Sequence, residues 1–384
     1  MINTPRNRLF LVSALSIAAF GGLLLQSSSG PAVATAAVPS KHEPPTVRGA
    51  NAPNEMGRIP ILMYHSVGDK VGGRGAALIA RLGLNVSSTK FRENLEAMHR
   101  AGWYPVNMRD VLSAQIPVPK GKTPVVLTFD DARKSQFYYL KDGTVDPNCA
   151  LGVLLSMHKK YGEEWPNRAV FYVLPESRFN PAPFGQKPLV NKKFKFLVDQ
   201  GFEVANHSTS HHAMTNMSAR QLEQEMEVCY KYVKTRVPGA TMDTMALPYG
   251  AAPRSHALWN VLLDGRSVNP SAGYRNRCIL MAWGDASYAP IDSRFDTKQV
   301  MRIGSEPGNI ERWIAALKNH KGTLRPYVSD GDPEVVTVPA SQTKHLAKAK
   351  LDGLKLVVVN DLPPKTAKPK PAKAKAKKVA KAIR

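Results

Sequence analysis

Cysteine is scarce in this chain, which has three, Cys149, Cys229 and Cys278, among 384 residues. Three widely spaced cysteines exclude a disulfide-scaffold fold. One disulfide with a leftover thiol and three buried free thiols both fit this spacing. A chain of this length can bury a large hydrophobic core, as one big domain or two moderate ones.

Acidic residues are also few, because 30 Asp and Glu stand against 53 Lys and Arg, a formal net charge of +23. The excess is concentrated at the end of the chain, where residues 362–384 hold nine Lys and Arg and no acidic residue. The Lys-, Ala- and Pro-rich tail, 361–384, is expected to be disordered. We expect it to contact anionic polymers of the cell envelope, an attraction that salt screens.

The beginning of the chain predicts export. Arg6 and Arg8 precede an apolar run, Leu9–Leu25, and a small-residue stretch follows it. No cysteine follows the run, which excludes a bacterial lipoprotein anchor. Residues 1–34 are therefore a signal peptide or an uncleaved N-terminal anchor, and 35–57 are a linker. Both alternatives predict a secreted or cell-envelope protein, so nucleic acid is not expected to be the main partner of the basic tail.

From residue 58 onward, short apolar strand patterns alternate with amphipathic helix patterns. This alternation predicts a parallel sheet. About 270 residues, 58–325, fit a distorted (β/α) barrel better than a long open sheet. Residues 326–360 then predict a small appendage with two strands, Val335–Val338 and Leu354–Val359, and a Lys- and Ala-rich helical segment between them.

Five residues suited to chemistry lie at or just after a predicted strand end. In β/α barrels, function collects at the carboxyl ends of the strands. The residues at those ends are His65, Asp130, Asp131, His207 and Tyr249.

His207 and His211 are four residues apart, a spacing that lets two imidazoles on one side of a turn reach one metal ion. Asp131, from another strand end, would complete a three-ligand site with an open position for water. Asp130 would then be free to act as a base. Each motif also has an ordinary explanation, a helix cap for the aspartates and exposed polar residues for the histidines. Their combination favours a metal-assisted hydrolase.

Two further strand ends offer the remaining parts of such a site. In Leu247-Pro248-Tyr249-Gly250, the backbone N–H beside the proline is suited to stabilise an oxyanion, although the motif is also an ordinary turn. His65 closes the first strand and is suited to be a general acid near neutral pH, although a histidine there is often structural.

Three motifs resemble those of polysaccharide deacetylases of the NodB-homology type, carbohydrate esterase family four. They are Thr128-Phe129-Asp130-Asp131, His207-Ser208-Thr209-Ser210-His211 and Leu247-Pro248-Tyr249-Gly250. The resemblance covers residues 58–325. The opening Ile61-Leu62-Met63-Tyr64-His65 is similar to a permuted branch that includes poly-N-acetylglucosamine deacetylases.

The resemblance implies a NodB-type barrel that removes N-acetyl groups from a GlcNAc-containing polysaccharide, either peptidoglycan, a chitin-like chain or an exopolysaccharide. It implies Asp130 as the base and His65 as the acid, with the Tyr249 backbone helping to bind the oxyanion. Asp131, His207 and His211 would hold a divalent metal, most simply Zn²⁺, with Co²⁺ or Ni²⁺ as alternatives.

One departure from the family pattern leaves a second function open. Many members have a base-orienting arginine where this chain has Ala246, and Arg302 is a candidate replacement. The substrate-binding candidates are Pro248, Tyr249, Trp283, Asp285 and Arg302. Ala246 supports the alternative of a weak or inactive deacetylase-fold protein that binds carbohydrate in the envelope. Neither motif nor composition predicts an oligomeric state.

Overall fold

The computed structural model describes residues 52–69, 76–175, 182–319 and 324–360. The predicted export segment, most of the linker and the basic tail lie outside these residues. Within the described ranges, no helix combines the length and apolarity needed to cross a membrane.

Strands and helices alternate along the chain as the sequence predicts. The strands are β1 (Ile61–Tyr64), β2 (Ser66–Val67), β3 (Asn85–Val86), β4 (Trp103–Pro105), β5 (Thr123–Asp130), β6 (Val170–Val173), β7 (Glu203–Asn206), β8 (Thr244–Ala246), β9 (Cys278–Leu280), β10 (Ile303–Gly304), β11 (Val335–Pro339) and β12 (Lys355–Val359). The helices are α1 (Ala76–Arg81), α2 (Ser88–Arg100), α3 (Met108–Val111), α4 (Ala150–Tyr161), α5 (Val190–Asp199), α6 (Ala219–Lys234), α7 (His256–Leu263) and α8 (Asn309–Lys318). The sequence patterns predict five of these elements neither as helix nor as strand: α1, β2, β3, α7 and β10.

The main sheet is parallel, with the strand order β10-β1-β5-β6-β7-β8-β9, and β4 pairs with the first residues of β5. Its two ends are joined by one segment, because Leu280 bridges Val300 while Leu62 pairs with Ile303. The sheet therefore curls into the distorted (β/α) barrel that was predicted. This closure brings the carboxyl ends of the strands to one end of the barrel.

Alternate strand residues are buried in two different cores, as expected for strands covered on both faces. Ile61 and Val126 pack in one core with Tyr172. Leu127 and Phe129 belong to the other, which includes Phe91 of α2 and Leu151 of α4. All three cysteines are buried and free.

The long helix α6 begins where its sequence indicates. The Ser218 hydroxyl and the Gln221 side chain form a capping box at its N-terminus, which satisfies backbone donors that the helix leaves without partners. The apolar stripe that recurs along this helix is buried against the barrel and consists of Leu222, Met226, Cys229 and Val233. This packing fixes α6 beside the loop that follows β7.

The appendage pairs β11 with β12 in parallel. Glu55, which precedes β1, accepts hydrogen bonds from the Thr337 backbone N–H at 2.8 Å and the Tyr327 hydroxyl at 3.1 Å. The appendage thus lies near the amino end of β1, away from the end that carries the polar residues. The prediction of an α-helical segment between β11 and β12 is wrong. The structure has two 3₁₀ segments there, Ala340–His345 and Lys348–Lys350. This Lys- and Ala-rich stretch has no apolar stripe that a helix could bury.

Candidate active site

Strand β5 delivers two consecutive carboxylates to the carboxyl end of the barrel. Asp130 is the last residue of the strand, and Asp131 and Ala132 turn the chain with left-handed φ values of 77° and 47°. Non-glycine residues rarely adopt this conformation, so the surrounding structure must hold it. Both aspartates are buried, with 2% and 7% of their surface exposed.

The segment after β7 brings His207 and His211 together without forming a helical turn. Ser208 and His211 have left-handed φ values of 69° and 58°, and the two imidazole centroids lie 5.0 Å apart. The two imidazoles therefore lie on one side of the chain, as predicted, but a strained loop places them there.

Glu225 of α6 holds this loop in place. Its carboxylate accepts hydrogen bonds from the backbone N–H groups of Thr209 and Ser210, both at 2.9 Å, and from the Ser210 hydroxyl at 2.6 Å. Glu225 is not predicted from sequence, because a glutamate on the polar side of an amphipathic helix carries no signal of such a role.

Asp131, His207 and His211 form a cluster whose ligand atoms lie within 4.8 Å of one another. Asp131 Oδ1 is 3.3 Å from His207 Nε2 and 3.1 Å from His211 Nε2. Burial acts to raise the pKa of Asp131, but hydrogen bonds with the two histidines hold it well below its usual value. The three residues thus converge as predicted.

The outer nitrogens of both imidazoles have partners that suit metal binding. His207 Nδ1 lies 2.9 Å from the Ala246 carbonyl, an acceptor, so Nδ1 carries a proton and Nε2 is the nitrogen that faces Asp131. His211 Nδ1 lies 3.1 Å from the Tyr249 hydroxyl, and its Nε2 also faces Asp131. A divalent metal such as zinc would replace the protons that the two Nε2 atoms share with Asp131, because one carboxylate and two neutral imidazoles suit it.

Arg133 fixes the other oxygen of Asp131. Its Nε and Nη2 donate to Asp131 Oδ2 at 2.8 and 2.7 Å, which leaves Oδ1 facing the imidazoles. The sequence analysis missed this residue, although an arginine two positions after a candidate ligand was an available signal.

Arg302 forms a bidentate ion pair with Asp130. Nη1 and Nη2 donate to the two carboxylate oxygens, both at 2.8 Å, and Nε donates to the Met281 carbonyl at 2.6 Å. Burial acts to raise the pKa of Asp130, but Arg302 together with His207 and His65 outweighs it, and the pKa is lowered. Arg302 is fully buried, so it contacts the aspartate from inside the barrel and does not line an open groove.

His65 follows β1, next to the aspartates. Its Nδ1 is buried and has no hydrogen-bond partner among the described residues. Burial lowers the pKa of His65, and Asp131 and Asp130 oppose the shift. The buried Gln136 amide donates to the backbone carbonyls of His65 and Asp130, at 2.7 and 2.5 Å, so it ties the two strand ends together.

An open groove of about 1050 Å³ passes the cluster and is lined by Asp131, His211 and Tyr249. The segment that follows the Thr128–Asp131 motif lines much of this groove, through Arg133, Lys134, Ser135 and Tyr138. Pro248 is buried at the start of the turn that gives Tyr249 a φ of 58°. The half-exposed Tyr249 ring packs 4.6 Å from the His211 ring.

Two of the substrate-binding candidates lie apart from this groove. Trp283 is exposed and lines a separate hollow of about 460 Å³ with Glu306 and Arg312. Asp285 is exposed and interacts electrostatically with Arg58, which precedes β1. Neither residue is brought to the Asp131 cluster.

A family model described as polysaccharide deacetylase matches residues 118–263. Similar solved structures include the Streptococcus pyogenes deacetylase PplD in complex with acetate, with 20% identity over 67% of this chain and 98% of that chain and a TM-score of 0.49. The polysaccharide deacetylase BC0361 from Bacillus cereus has 17% identity over 67% of this chain and 68% of that one, with a TM-score of 0.49. IcaB from Ammonifex degensii has 18% identity over 67% and 96%, with a TM-score of 0.47. No curated protein matches the chain.

Proposed function

We propose that this chain, in which residues 118–263 form a polysaccharide deacetylase domain, is a metal-dependent N-deacetylase acting on a GlcNAc-containing polysaccharide. The observation that carries the proposal is the pairing of two buried carboxylates with different partners. Asp131 faces two imidazoles, and Asp130 is held by Arg302. Such a pair separates metal binding from base catalysis.

The three residues that would hold the metal are Asp131, His207 and His211. A divalent ion there, which we propose is Zn²⁺, would supply Lewis-acid chemistry, that is, polarisation of the acetyl carbonyl and a lower pKa for a water molecule. Arg133 and Glu225 keep the ligands in position before any ion arrives.

The other residues would move protons and stabilise charge. Asp130 is ionised because Arg302 lowers its pKa, so it can take the proton of the attacking water. The Tyr249 backbone N–H, held in a left-handed turn, would donate to the developing oxyanion. His65 would pass a proton to the departing amine nitrogen.

The substrate is proposed to be a polymer because the cluster opens into a groove and not into a closed cavity. The test is acetate release from peptidoglycan, chitin oligosaccharides and poly-N-acetylglucosamine, each with and without a chelator. Chelator-sensitive release from at least one of the three is expected. No release from any of them by zinc-loaded protein contradicts the proposal.

The second candidate is an inactive deacetylase-fold protein that binds carbohydrate, which Ala246 favours. The buried pair of Arg302 and Asp130 argues against it, because a guanidinium orients the base even though the usual position lacks one. Carbohydrate binding without acetate release would favour the inactive protein.

We also propose that the protein acts outside the cytoplasm and that its basic tail contacts anionic envelope polymers. The support is the sequence, with an apolar run after Arg6 and Arg8 and nine basic residues in 362–384. Fractionation of cells expressing the full chain, compared with a chain lacking 362–384, tests both. Envelope retention that is salt-sensitive only in the full chain is expected, and equal retention contradicts the role of the tail.

A further inference from the structure

Two segments build one side of the groove beside the metal-binding cluster. We call residues 132–139 and 182–186 together the groove wall. It presents five residues to the groove: Arg133, Lys134, Ser135, Tyr138 and Gly185.

The two segments are tied to each other by hydrogen bonds. The Phe184 backbone N–H donates to the Ala132 carbonyl at 2.6 Å. The Gln186 side chain accepts from the Tyr139 backbone N–H and donates to its carbonyl, both at 2.9 Å. The groove wall is thus one hydrogen-bonded unit that begins next to the metal-ligand candidate Asp131.

Lys193 of α5 lies behind this unit and joins its two segments. Its Nζ donates to the backbone carbonyls of Phe137 and Phe184, both at 2.8 Å. Its Nζ also lies 5.3 Å and 5.9 Å from the ring centroids of the same two residues. The side chain is fully buried, which is unfavourable for a lysine unless its donors are satisfied.

The position of this contact explains why an amine is needed there. Two carbonyl oxygens from different segments converge on one buried point, and an apolar side chain would leave both without that donor. Phe184 also has a left-handed φ of 59°, a conformation that persists only when the surroundings hold it. Lys193 therefore stabilises a strained turn in the wall.

We propose that Lys193 is a positioning residue that holds the groove wall at the width the polysaccharide requires. It does so by fixing the Phe137 and Phe184 carbonyls, while Glu225, which lies outside the groove wall, holds the histidine loop separately. This inference rests on the proposed function for its substrate. The rigidity of the wall can be tested without any substrate.

The test compares two variants of the same helix, Lys193→Met and the control Lys195→Met. Lys195 is exposed and forms an ion pair with Asp199 at 2.7 Å. Hydrogen exchange of residues 132–139 should become at least about tenfold faster in Lys193→Met and stay unchanged in the control. For chitin oligosaccharides, KM should rise about tenfold with a smaller change in kcat. The zinc dissociation constant should change by less than about threefold, because Glu225 still holds the histidine loop and Arg133 lies only two residues from the Asp131 carboxylate that it binds.

A second variant covers the case in which Lys193→Met fails to fold. Gln186 is half-buried, and Gln186→Leu removes the hydrogen bonds between its side chain and the Tyr139 backbone. The hydrogen-exchange rate of residues 132–139 and the KM for chitin oligosaccharides should rise as in Lys193→Met. Unchanged exchange in both variants overturns the inference, as does a loss of kcat with unchanged KM. If the wild type releases no acetate, the proposed function fails, and the exchange data still decide whether Lys193 fixes the wall.

Discussion

Arg302 and Asp130 form a buried bidentate ion pair although 172 residues separate them in sequence. The guanidinium reaches the aspartate from the segment that closes the barrel between β9 and β1. The candidate base is therefore oriented by the same segment that completes the fold. A bidentate guanidinium fixes a carboxylate in a way that a lysine ammonium cannot.

Arg302→Lys should lower kcat by about 100-fold or more and leave zinc affinity within about threefold, because the positive charge remains but the fork is lost. Steady-state kinetics on the acetate-releasing substrate and zinc titration measure the two effects. Gln299→Ala, an exposed change on the same segment, is the control. Wild-type kcat in Arg302→Lys would show that Asp130 needs no arginine.

Asp131→Ala and His207→Ala should each abolish zinc binding and turnover together, because each removes one of three ligands. Asp130→Asn should retain zinc binding and lose activity, because an amide cannot accept the proton of the attacking water. Metal analysis after gel filtration and an acetate assay separate the two classes. An active Asp130→Asn protein would refute the assignment of the base.

Glu225→Ala should weaken zinc binding by about 10- to 100-fold, because the loop that carries both imidazoles loses three hydrogen bonds. Gln224→Ala, an exposed change on the same helix, should leave it unchanged. Competition with a chromogenic chelator measures the affinity. Equal affinities in the two variants would mean that the loop is held without Glu225.

Glu203 should make stability depend on pH between about 4.5 and 7. Burial raises its pKa to about 7, against the lowering effect of Arg109. The folded state then binds a proton more tightly than the unfolded state, so the stabilisation is full below about pH 4.5 and is lost as pH rises through about 7. A shift of this size corresponds to at most about 3 kcal/mol.

Glu203→Gln should therefore flatten the pH dependence of the free energy of unfolding in that window. Burial also raises the pKa of Glu55 to about 7. Part of the pH dependence of the free energy of unfolding should therefore remain in the variant. Denaturant unfolding at several pH values measures the effect. An identical slope in variant and wild type would show that Glu203 has an ordinary pKa.

The order of the main strands and helices could be predicted because each of them has a local sequence pattern. A buried strand has an apolar run, and a helix that packs on the sheet has an amphipathic stripe. The metal-binding candidates could be found for a related reason. Asp130 and Asp131 are adjacent in sequence, His207 and His211 are four apart, and both sets follow strand patterns. In a parallel barrel, such positions converge at one end.

The supporting residues could not be found in this way. Glu225, Gln136 and Lys193 occupy ordinary positions in a helix, a loop and another helix, and their sequence neighbours do not distinguish them. Even Arg302, a candidate from sequence, could not be assigned to Asp130 until the closing segment was placed. Trp283 and Asp285 follow a strand end too, yet the chain carries them to other surfaces.

Sequence alone determined the alternating architecture and the chemical identity of the ligands, because periodicity and short motifs are properties of neighbouring residues. Tertiary structure alone decided the distant partners: the guanidinium on Asp130, the carboxylate that holds the histidine loop and the amine behind the groove wall. Those partners are chosen by the long-range closure of the barrel and by burial, which no local pattern encodes.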